Sequence, residues 1–297
     1  MVSRAVNQMS HNLALITGAG RGIGRAIALR LSEAGYAVVL VARTSEEITE
    51  LRNELISNGG RAYATPCDIS QPEEVRALAR DVTEDLGPLT VLVNNAGVAP
   101  SMKFPNTTDD AWRDTFAVNV DGAFYVTREF LPSMLEGYRV QGIGYSNSEN
   151  PASEPVPSEA SPQTLHPTPY TLYPLVISIG STASLAGFKY TAAYTASKHA
   201  LLGLMRALAA EYEKFPVRFS TVCPGFTRTQ ILEEAIEARM SHGATHEKAE
   251  AMYAMLNRGG RIIEPEEVAE TVLAILADPS LPSGRAYHVG TPLAFAD

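Results

Sequence analysis

Residues 13–24 of the chain read LALITGAGRGIG, an apolar run followed by a turn that contains four glycines. The run has the length and aliphatic character of a buried strand. Periodic apolar residues from Ile23 to Ala34 then predict an amphipathic helix. Glycines let a strand-to-helix turn approach a phosphate closely, and the free N–H groups and dipole of the helix start attract it. The segment therefore predicts an α/β fold whose first turn suits a dinucleotide.

The rest of the chain repeats this alternation of strand-length apolar runs and longer helical patterns. Such a pattern is typical of a parallel sheet covered by helices on both faces. We expect one doubly wound, Rossmann-type α/β domain over residues 1–297, with a seven-stranded parallel sheet. The predicted strands are Leu13 to Thr17, Ala37 to Val41, Arg61 to Thr65, Leu89 to Val93, Leu172 to Ile179, Val217 to Val222 and Arg285 to Val289. The predicted helices are Ile23 to Ala34, Ser45 to Ser57, Pro72 to Leu86, Asp109 to Leu135, Ala192 to Lys214 and Pro265 to Ala277.

Composition restricts the class of partner. The 33 acidic and 24 basic residues give a formal net charge of −9, which disfavours a nucleic-acid partner. No apolar run is long enough to span a membrane, and the first residues lack a secretory core. The two cysteines, Cys67 and Cys223, make neither a disulfide framework nor a zinc site, and the histidines show no metal-ligand spacing. We expect a cytoplasmic protein that needs no metal and binds neither nucleic acid nor membrane.

One stretch, Arg139 to Thr171, breaks the alternation with prolines at 151, 155, 157, 162, 167 and 169 and serines between them. This composition buries little apolar surface and predicts a disordered surface insertion. The insertion should leave the sheet at the N-terminal edge of the strands, away from the edge where ligands bind. Its role stays open between a passive surface insertion and a partner-binding or regulatory segment.

The end of the second predicted strand indicates which dinucleotide is used. In dinucleotide-binding folds, a carboxylate there contacts the adenosine ribose and repels a 2′-phosphate. Here Val38 to Ala42 contains no acid, Arg43 follows it, and Arg21 lies in the glycine turn. Two guanidinium groups could pair with a phosphate. The sequence therefore favours NADPH over NADH.

A candidate catalytic pair stands at the head of a long helical pattern. Tyr194 and Lys198 are four residues apart, which places them on one helix face. An ammonium beside a phenol is expected to lower the tyrosine pKa from its usual value of about 10. Ser181 follows the apolar run that ends at Ile179, so its hydroxyl can meet the phenol at the C-terminal edge of the sheet.

Several short motifs fall in a recognisable order. T-G-x-x-x-G-x-G begins at Thr17, N-N-A-G spans residues 94–97, N-V-D-G begins at Asn119, Y-x-x-x-K begins at Tyr194, and P-G-F-T-R-T spans residues 224–229. From Leu13 to Val289 the chain resembles the classical short-chain dehydrogenases/reductases. The resemblance implies cofactor contacts from Thr17, Gly18, Gly20, Arg21, Gly22, Ile23, Gly24, Arg43, Asp68, Ile69, Asn95, Ala96, Gly97, Tyr194, Lys198, Pro224, Gly225, Thr227 and Thr229.

The same resemblance implies a catalytic set of four residues and a reaction. Ser181 and Tyr194 would hydrogen-bond the oxygen of a small-molecule carbonyl substrate, and Tyr194 would donate a proton to it. Lys198 would hold the nicotinamide ribose, and Asn119 would hold a water that links Lys198 to solvent. The expected function is NADPH-dependent reduction of a ketone to a secondary alcohol.

The resemblance extends to substrate and assembly. Residues 230–262 form a helical segment that would cover the substrate, and residues 258–269 are similar to those of 3-oxoacyl-(acyl-carrier-protein) reductases. A 3-oxoacyl-like substrate and a homotetramer or homodimer are therefore expected. Two alternatives stay open: an NAD-dependent alcohol dehydrogenase, and a catalytically idle dinucleotide-binding scaffold.

Overall fold

The computed structural model describes residues 12–140, 173–290 and 292–296. They form one sheet in the order β3-β2-β1-β4-β5-β6-β7-β8. The strands are β1 Leu13–Thr17, β2 Ala37–Ala42, β3 Arg61–Pro66, β4 Val91–Asn94, β5 Leu175–Ile179, β6 Arg218–Cys223, β7 Arg285–His288 and β8 Ala294–Phe295. The α-helices are α1 Gly22–Glu33, α2 Ser45–Ser57, α3 Pro72–Leu86, α4 Asp109–Phe116, α5 Ala123–Val140, α6 Ala192–Glu211, α7 Gln230–Met240, α8 His246–Leu256 and α9 Pro265–Ala277.

The strand order positions the site. Strand β1 pairs in parallel with β2 on one side and with β4 on the other, so the order reverses beside β1. In doubly wound sheets the crevice at such a reversal, beyond the carboxyl ends of the strands, receives the ligand. The predicted Rossmann-type α/β sheet is thus confirmed, and its switch point lies at the glycine turn that follows Thr17.

Two apolar layers hold the sheet between the helices. Successive β1 side chains alternate between them: Ala14 and Ile16 pack with α1, α2 and α9, while Leu13 and Leu15 pack with α3, α5 and α6. All four side chains are buried. Burial of every β1 side chain is the pattern of a central strand in a parallel sheet, and it anchors the glycine turn rigidly.

The strand count differs from the prediction. The first seven strands are parallel, but an eighth, β8, pairs antiparallel with β7 and packs Phe295 against Tyr287. Strand β8 is two residues long, too short for a periodic pattern to reveal it. It covers part of the edge that β7 would otherwise expose.

The predicted helix from Asp109 to Leu135 is also wrong in detail. A π-helical stretch, Ala117–Gly122, separates α4 from α5. A Cβ on Gly122 would lie 2.6 Å from Ile69 Cδ1, so only glycine allows this close approach. The wider turn carries Asn119, which is 1% exposed, and π-helical turns are frequent at functional sites.

Helix α5 continues to Val140, so the predicted insertion cannot begin at Arg139. The remainder of that prediction, residues 141–171, lies outside the described residues, as does Leu172, the first residue of the predicted fifth strand. Within the described ranges, no helix combines the length and apolar character needed to cross a bilayer.

Candidate active site

The glycine turn is braced against the end of β4. The Thr17 hydroxyl accepts hydrogen bonds from the backbone N–H groups of Asn95 and Ala96, at 3.0 and 3.1 Å. The Asn95 side-chain amide donates to the carbonyl oxygens of Thr17 and Gly18, at 2.9 and 3.1 Å. A Cβ on Gly18, whose φ is +64°, would lie 2.8 Å from the Ala96 Cα. Only glycine therefore fits where the two loops cross.

The start of α1 is suited to an anion. Its N-cap residue, Arg21, makes no side-chain capping bond, and the first turn contains no acid. The first N–H groups of a helix lack intrahelical partners and carry partial positive charge. A pyrophosphate placed there would satisfy them, so the residues present fit a dinucleotide.

A cleft of about 790 Å³ extends from this turn to the start of α6. The predicted cofactor residues that line it are Gly18, Gly20, Arg21, Gly22, Ile23, Arg43, Asp68, Ile69, Asn95, Ala96, Gly97, Tyr194, Lys198 and Thr229. Of the remaining five, Thr17 and Gly24 lie behind the glycine turn, where a Cβ on Gly24 would collide with the Gly18 carbonyl oxygen. Pro224, Gly225 and Thr227 follow β6, outside the lining, and Thr227 is buried.

Asp68, one of the predicted cofactor residues, lines this cleft, and its carboxylate accepts hydrogen bonds from the backbone and hydroxyl of Ser70. The cleft is also lined, beside Arg21, by an acid that sequence reasoning missed. Glu47, in the first turn of α2, lines the cleft, and its Oε1 lies 3.4 Å from Arg21 Nη1. A Cβ on Gly20 would lie 2.5 Å from Glu47 Oε2. The prediction considered acids on the second strand only, and the fold brings this one from the following helix.

The side chains of Lys198 and Asn119 both lie close to Gly97. Lys198 Nζ donates to the Ile179 carbonyl oxygen at 2.8 Å, and the side chain is 4% exposed. Asn119 Oδ1 accepts from the Val98 N–H at 2.8 Å. A Cβ on Gly97 would lie 3.1 Å from Asn119 Oδ1 and 3.5 Å from Lys198 Nζ. Gly97, which has no side chain, therefore lies against both of these polar groups.

The Asn119 amide is held from two sides. Its Nδ2 donates to the Val98 carbonyl oxygen and to Ser197 Oγ, both at 2.9 Å. Both amide hydrogens are therefore used, while Oδ1 keeps one lone pair beyond its bond to Val98. That lone pair can accept a hydrogen bond from a water.

Ser181 and Tyr194 come together as the sequence analysis expected. Ser181 follows β5 and hydrogen-bonds Tyr194 through its side chain, while its Oγ also accepts from the Ala183 N–H at 3.0 Å. Tyr194 lies in the first turn of α6, and Lys198 Nζ is 5.7 Å from the centre of its ring. The structure thus brings the four predicted catalytic side chains together. Tyr194 and Lys198 line the cleft, whereas Ser181 and Asn119 stand just behind its lining, next to Gly180 and Gly97.

The pKa of Tyr194 moves opposite to the prediction. Burial raises it above the ordinary value of 10.0, and the hydrogen bond from Ser181 offsets only part of this effect. Burial also lowers the pKa of Lys198 to about 8. The prediction considered the ammonium alone, whereas the low-dielectric surroundings disfavour the charged form of both groups. Near neutral pH, Tyr194 therefore keeps its proton and Lys198 stays mostly charged.

Helix α7 forms another wall of the cleft, through Gln230, Ile231, Glu234, Ala235 and Ala238. The loop before it is clamped by Asn257, a second residue that sequence reasoning missed. Asn257 Oδ1 accepts from the Phe226 N–H at 2.7 Å, and its Nδ2 donates to the carbonyl oxygens of Phe226 and Arg261. An asparagine just after a helix has no signal that distinguishes this role from an ordinary cap.

A glycine turn at the switch point of a parallel sheet, with a cleft running from it, defines a dinucleotide-binding α/β protein. Residues 12–143 match the family described as short chain dehydrogenase, and residues 173–289 match the family described as enoyl-(acyl carrier protein) reductase. A Streptomyces coelicolor protein named as a putative ketoacyl reductase is 31% identical over 268 residues, 89% of each chain. On this evidence the chain belongs to the short-chain dehydrogenase/reductase family and is an oxidoreductase.

Other relatives differ in the substrate that their names give. A cyclohexanol dehydrogenase of an Acinetobacter species is 28% identical over 288 residues, 95% of each chain. A 3β-hydroxysteroid dehydrogenase of Mediterraneibacter gnavus is 28% identical over 92% of this chain and 91% of the relative.

Solved structures give the same family. The structure of an actinorhodin polyketide ketoreductase variant with NADPH is 29% identical, covers 94% of this chain and 95% of that one, and has a TM-score of 0.77. A short-chain type dehydrogenase/reductase from Mycobacterium marinum is 25% identical over 94% of each chain, with a TM-score of 0.75.

Proposed function

We propose that this chain reduces a ketone to a secondary alcohol with NADPH, and that Tyr194 is the acid. The observation that carries the proposal is that Tyr194 and Lys198 line the cleft that begins at the glycine turn, with Ser181 hydrogen-bonded to Tyr194 and Asn119 beside Lys198 at Gly97. The fit of α1 to a pyrophosphate supports the cofactor. The similarity to the actinorhodin polyketide ketoreductase, whose structure was solved with NADPH, supports it as well.

The nicotinamide, when bound, supplies the hydride. Ser181 and Tyr194 hold the ketone oxygen by hydrogen bonds, which strengthen as negative charge develops on it. Tyr194 then transfers its phenolic proton to that oxygen. Tyr194 carries its proton at working pH, as an acid must, but the raised pKa makes the phenol a weak acid. The proposal therefore requires the Lys198 ammonium to stabilise the phenolate as it forms.

Lys198 and Asn119 return the proton. The ammonium of Lys198, which donates to the Ile179 carbonyl oxygen, would stabilise the phenolate that forms on Tyr194 and would hold the nicotinamide ribose. The free lone pair of Asn119 Oδ1 holds the water that connects Lys198 to solvent.

The preference for NADPH rests on Arg21 and Arg43, which line the same end of the cleft. A 2′-phosphate between them would take charge-assisted hydrogen bonds from both. Glu47 weakens this argument, since a carboxylate beside Arg21 can also accept hydrogen bonds from ribose hydroxyls. The NAD-dependent dehydrogenase therefore remains the competing candidate.

Substrate and assembly are proposed by analogy. Relatives named for ketoacyl, cyclohexanol and hydroxysteroid chemistry support a neutral ketone, with a 3-oxoacyl compound among the candidates. We propose that residues 230–262 cover the substrate and that the chain works in the cytoplasm as a homotetramer or homodimer. Light scattering on the protein as it elutes from a size-exclusion column measures its molar mass. The mass of a monomer would refute the proposed assembly.

Ketone reduction is tested by following NADPH oxidation across a ketone panel. Tyr194→Phe should lower kcat by at least about 100-fold, because the proton donor is lost while the ring is kept. Tyr63→Phe, at a half-exposed tyrosine of β3, is the matched control and should retain the parent rate. Unchanged activity in Tyr194→Phe would refute the assigned acid. Tight NADPH binding without turnover of any ketone would favour the idle scaffold.

The preference for NADPH is tested by adding NADPH or NADH to the protein and following its intrinsic fluorescence, which gives a Kd for each cofactor. Arg21→Ala and Arg43→Ala should each weaken NADPH binding about tenfold and leave NADH within about twofold. Arg52→Ala, on the exposed face of α2, is the control. Equal losses for both cofactors would contradict a phosphate site.

A further inference from the structure

Helix α4 contributes one wall of the cleft beyond the catalytic residues. Ala111, Asp114 and Thr115 line the cleft, and their spacing of three and four residues places them on one face of α4. Val118, in the π-helical stretch that follows, lines the cleft as well. Asp114 therefore places a carboxylate on the α4 wall of the cleft.

Asp114 is exposed, and the nearest basic residue in the chain is already engaged. Arg113 forms ion pairs with Asp109 and Asp110, at 3.5 Å each. Within the described parts of the chain, no lysine or arginine forms an ion pair with Asp114. Its negative charge is thus open to whatever enters the cleft.

Helix α7 brings a second carboxylate to the cleft. Glu234 lines the cleft together with Ile231, Ala235 and Ala238, again on one helix face. Its Oε1 accepts a hydrogen bond from Gln230 Nε2 at 2.8 Å. An amide donor satisfies a lone pair but leaves the charge of the carboxylate uncompensated.

The cations of the cleft lining come from elements other than α4 and α7. Among the described lining residues, the cations are Arg21 and Arg43, beside the glycine turn, and Lys198, which is buried against the Ile179 carbonyl. The other lining residues from α4, α7 and the loop after β4 are mainly apolar: Ala99, Pro100, Ala111, Ile231, Ala235 and Ala238.

A substrate carboxylate placed between the α4 and α7 walls would gain no cation from either helix and would face the carboxylates of Asp114 and Glu234. We propose that the cleft accepts uncharged ketones and rejects ketones that carry a carboxylate, with Asp114 and Glu234 as the specificity-determining residues. The inference rests on the proposed ketone reduction. Esters and thioesters of 3-oxo acids remain compatible with it, whereas the free 3-oxo acids do not.

The test compares two ketones of one shape, methyl 4-oxocyclohexanecarboxylate and the free 4-oxocyclohexanecarboxylate, at neutral pH. Two readouts are used: kcat/KM with NADPH, and calorimetric binding of each compound to the enzyme with NADP⁺. The ester should be preferred by at least about tenfold at low salt, and the preference should shrink as salt screens the acids. Equal use of the two compounds would overturn the inference.

Charge-neutral variants separate electrostatics from shape. Glu234→Gln and Asp114→Asn should each raise the acid-to-ester ratio about threefold, because each removes one like charge at nearly constant volume. Glu237→Gln, at an exposed residue of α7 that does not line the cleft, should leave the ratio unchanged. A ratio that neither cleft variant moves would overturn the assignment.

The two readouts also separate this inference from the proposed function. If neither compound is reduced but the ester still binds more tightly, the proposed reduction fails and the charge selection stands. If the acid binds as tightly as the ester, or if neither compound binds, the charge selection fails, whatever the result for turnover.

Discussion

Replacing Glu47 by glutamine should tighten NADPH binding selectively. Glu47 Oε1 lies 3.4 Å from Arg21 Nη1, so a 2′-phosphate bound by Arg21 would place its charge about 6 Å from the carboxylate. In a water-like dielectric, two unit charges at about 6 Å repel by about 0.7 kcal/mol. A phosphate with a charge of about −1.5 to −2 raises this to about 1.0–1.4 kcal/mol.

Screening of this repulsion by salt sets the size of the change in NADPH affinity. Both side chains are partly exposed, so salt acts on this repulsion directly. With a Debye length of about 8 Å at physiological ionic strength, about half the repulsion remains, and Glu47→Gln should lower the NADPH Kd about two- to threefold. At about 0.01 M salt the gain should rise to about fivefold or more.

The assay is fluorescence titration of NADPH and NADH at two salt concentrations. Glu46→Gln, an exposed residue of the same helical turn that does not line the cleft, is the matched control. A gain for NADPH that is absent for NADH and fades with salt would support a phosphate site beside Arg21. Weaker NADH binding with unchanged NADPH binding would refute the reasoning and assign Glu47 to the ribose hydroxyls.

Three further outcomes are expected. Because the pKa of Lys198 is lowered to about 8, its ammonium is lost as pH rises through that value, and the reduction rate should fall above about pH 8 in a pH–rate profile. Gly24→Ala should cost about 2 kcal/mol or more of unfolding free energy in urea titrations and abolish NADPH binding, because its Cβ would collide with the neighbouring carbonyl oxygen. Gly203→Ala, at an open position of α6, should instead stabilise by about 0.5–1 kcal/mol. Asn257→Ala should lower the free energy of unfolding by about 2–3 kcal/mol, because three hydrogen bonds from its side chain to the backbone are lost. Proteolysis of the loop before α7 should become faster.

Each of these expectations has a contrary result. A rate that stays level up to pH 9.5 would show that the charge of Lys198 is not needed. Stability and NADPH binding retained in Gly24→Ala would mean that the turn can relax around a methyl group. Proteolysis of Asn257→Ala at the parent rate would show that other contacts hold the loop before α7.

Local sequence signals determined most of the secondary structure. The predicted bounds of β1, α2, α3 and α9 agree with the structure residue for residue. Helices α3 and α9 begin at Pro72 and Pro265, and Gly87 follows the end of α3. Proline at the first helical position and glycine after the last act within a few residues, so they can be read from the sequence without the fold.

The sequence also determined which side chains meet at the end of the cleft. Parallel strands end at one edge of the sheet, so Ser181 after β5 and Tyr194 at the head of α6 are brought close by topology alone. The four-residue spacing of Tyr194 and Lys198 places these two side chains on one face of α6. This positional information is carried by periodicity and chain order.

Only the tertiary structure decided the electrostatics of the site. Glu47 reaches Arg21 from a different element, and burial, which raises the pKa of Tyr194, depends on all the atoms packed around it. The π-helical turn that carries Asn119 ends where Gly122 packs closely against Ile69, a residue distant in the chain. Contacts between segments distant in the chain set charge pairing and dielectric environment, so neither follows from local pattern.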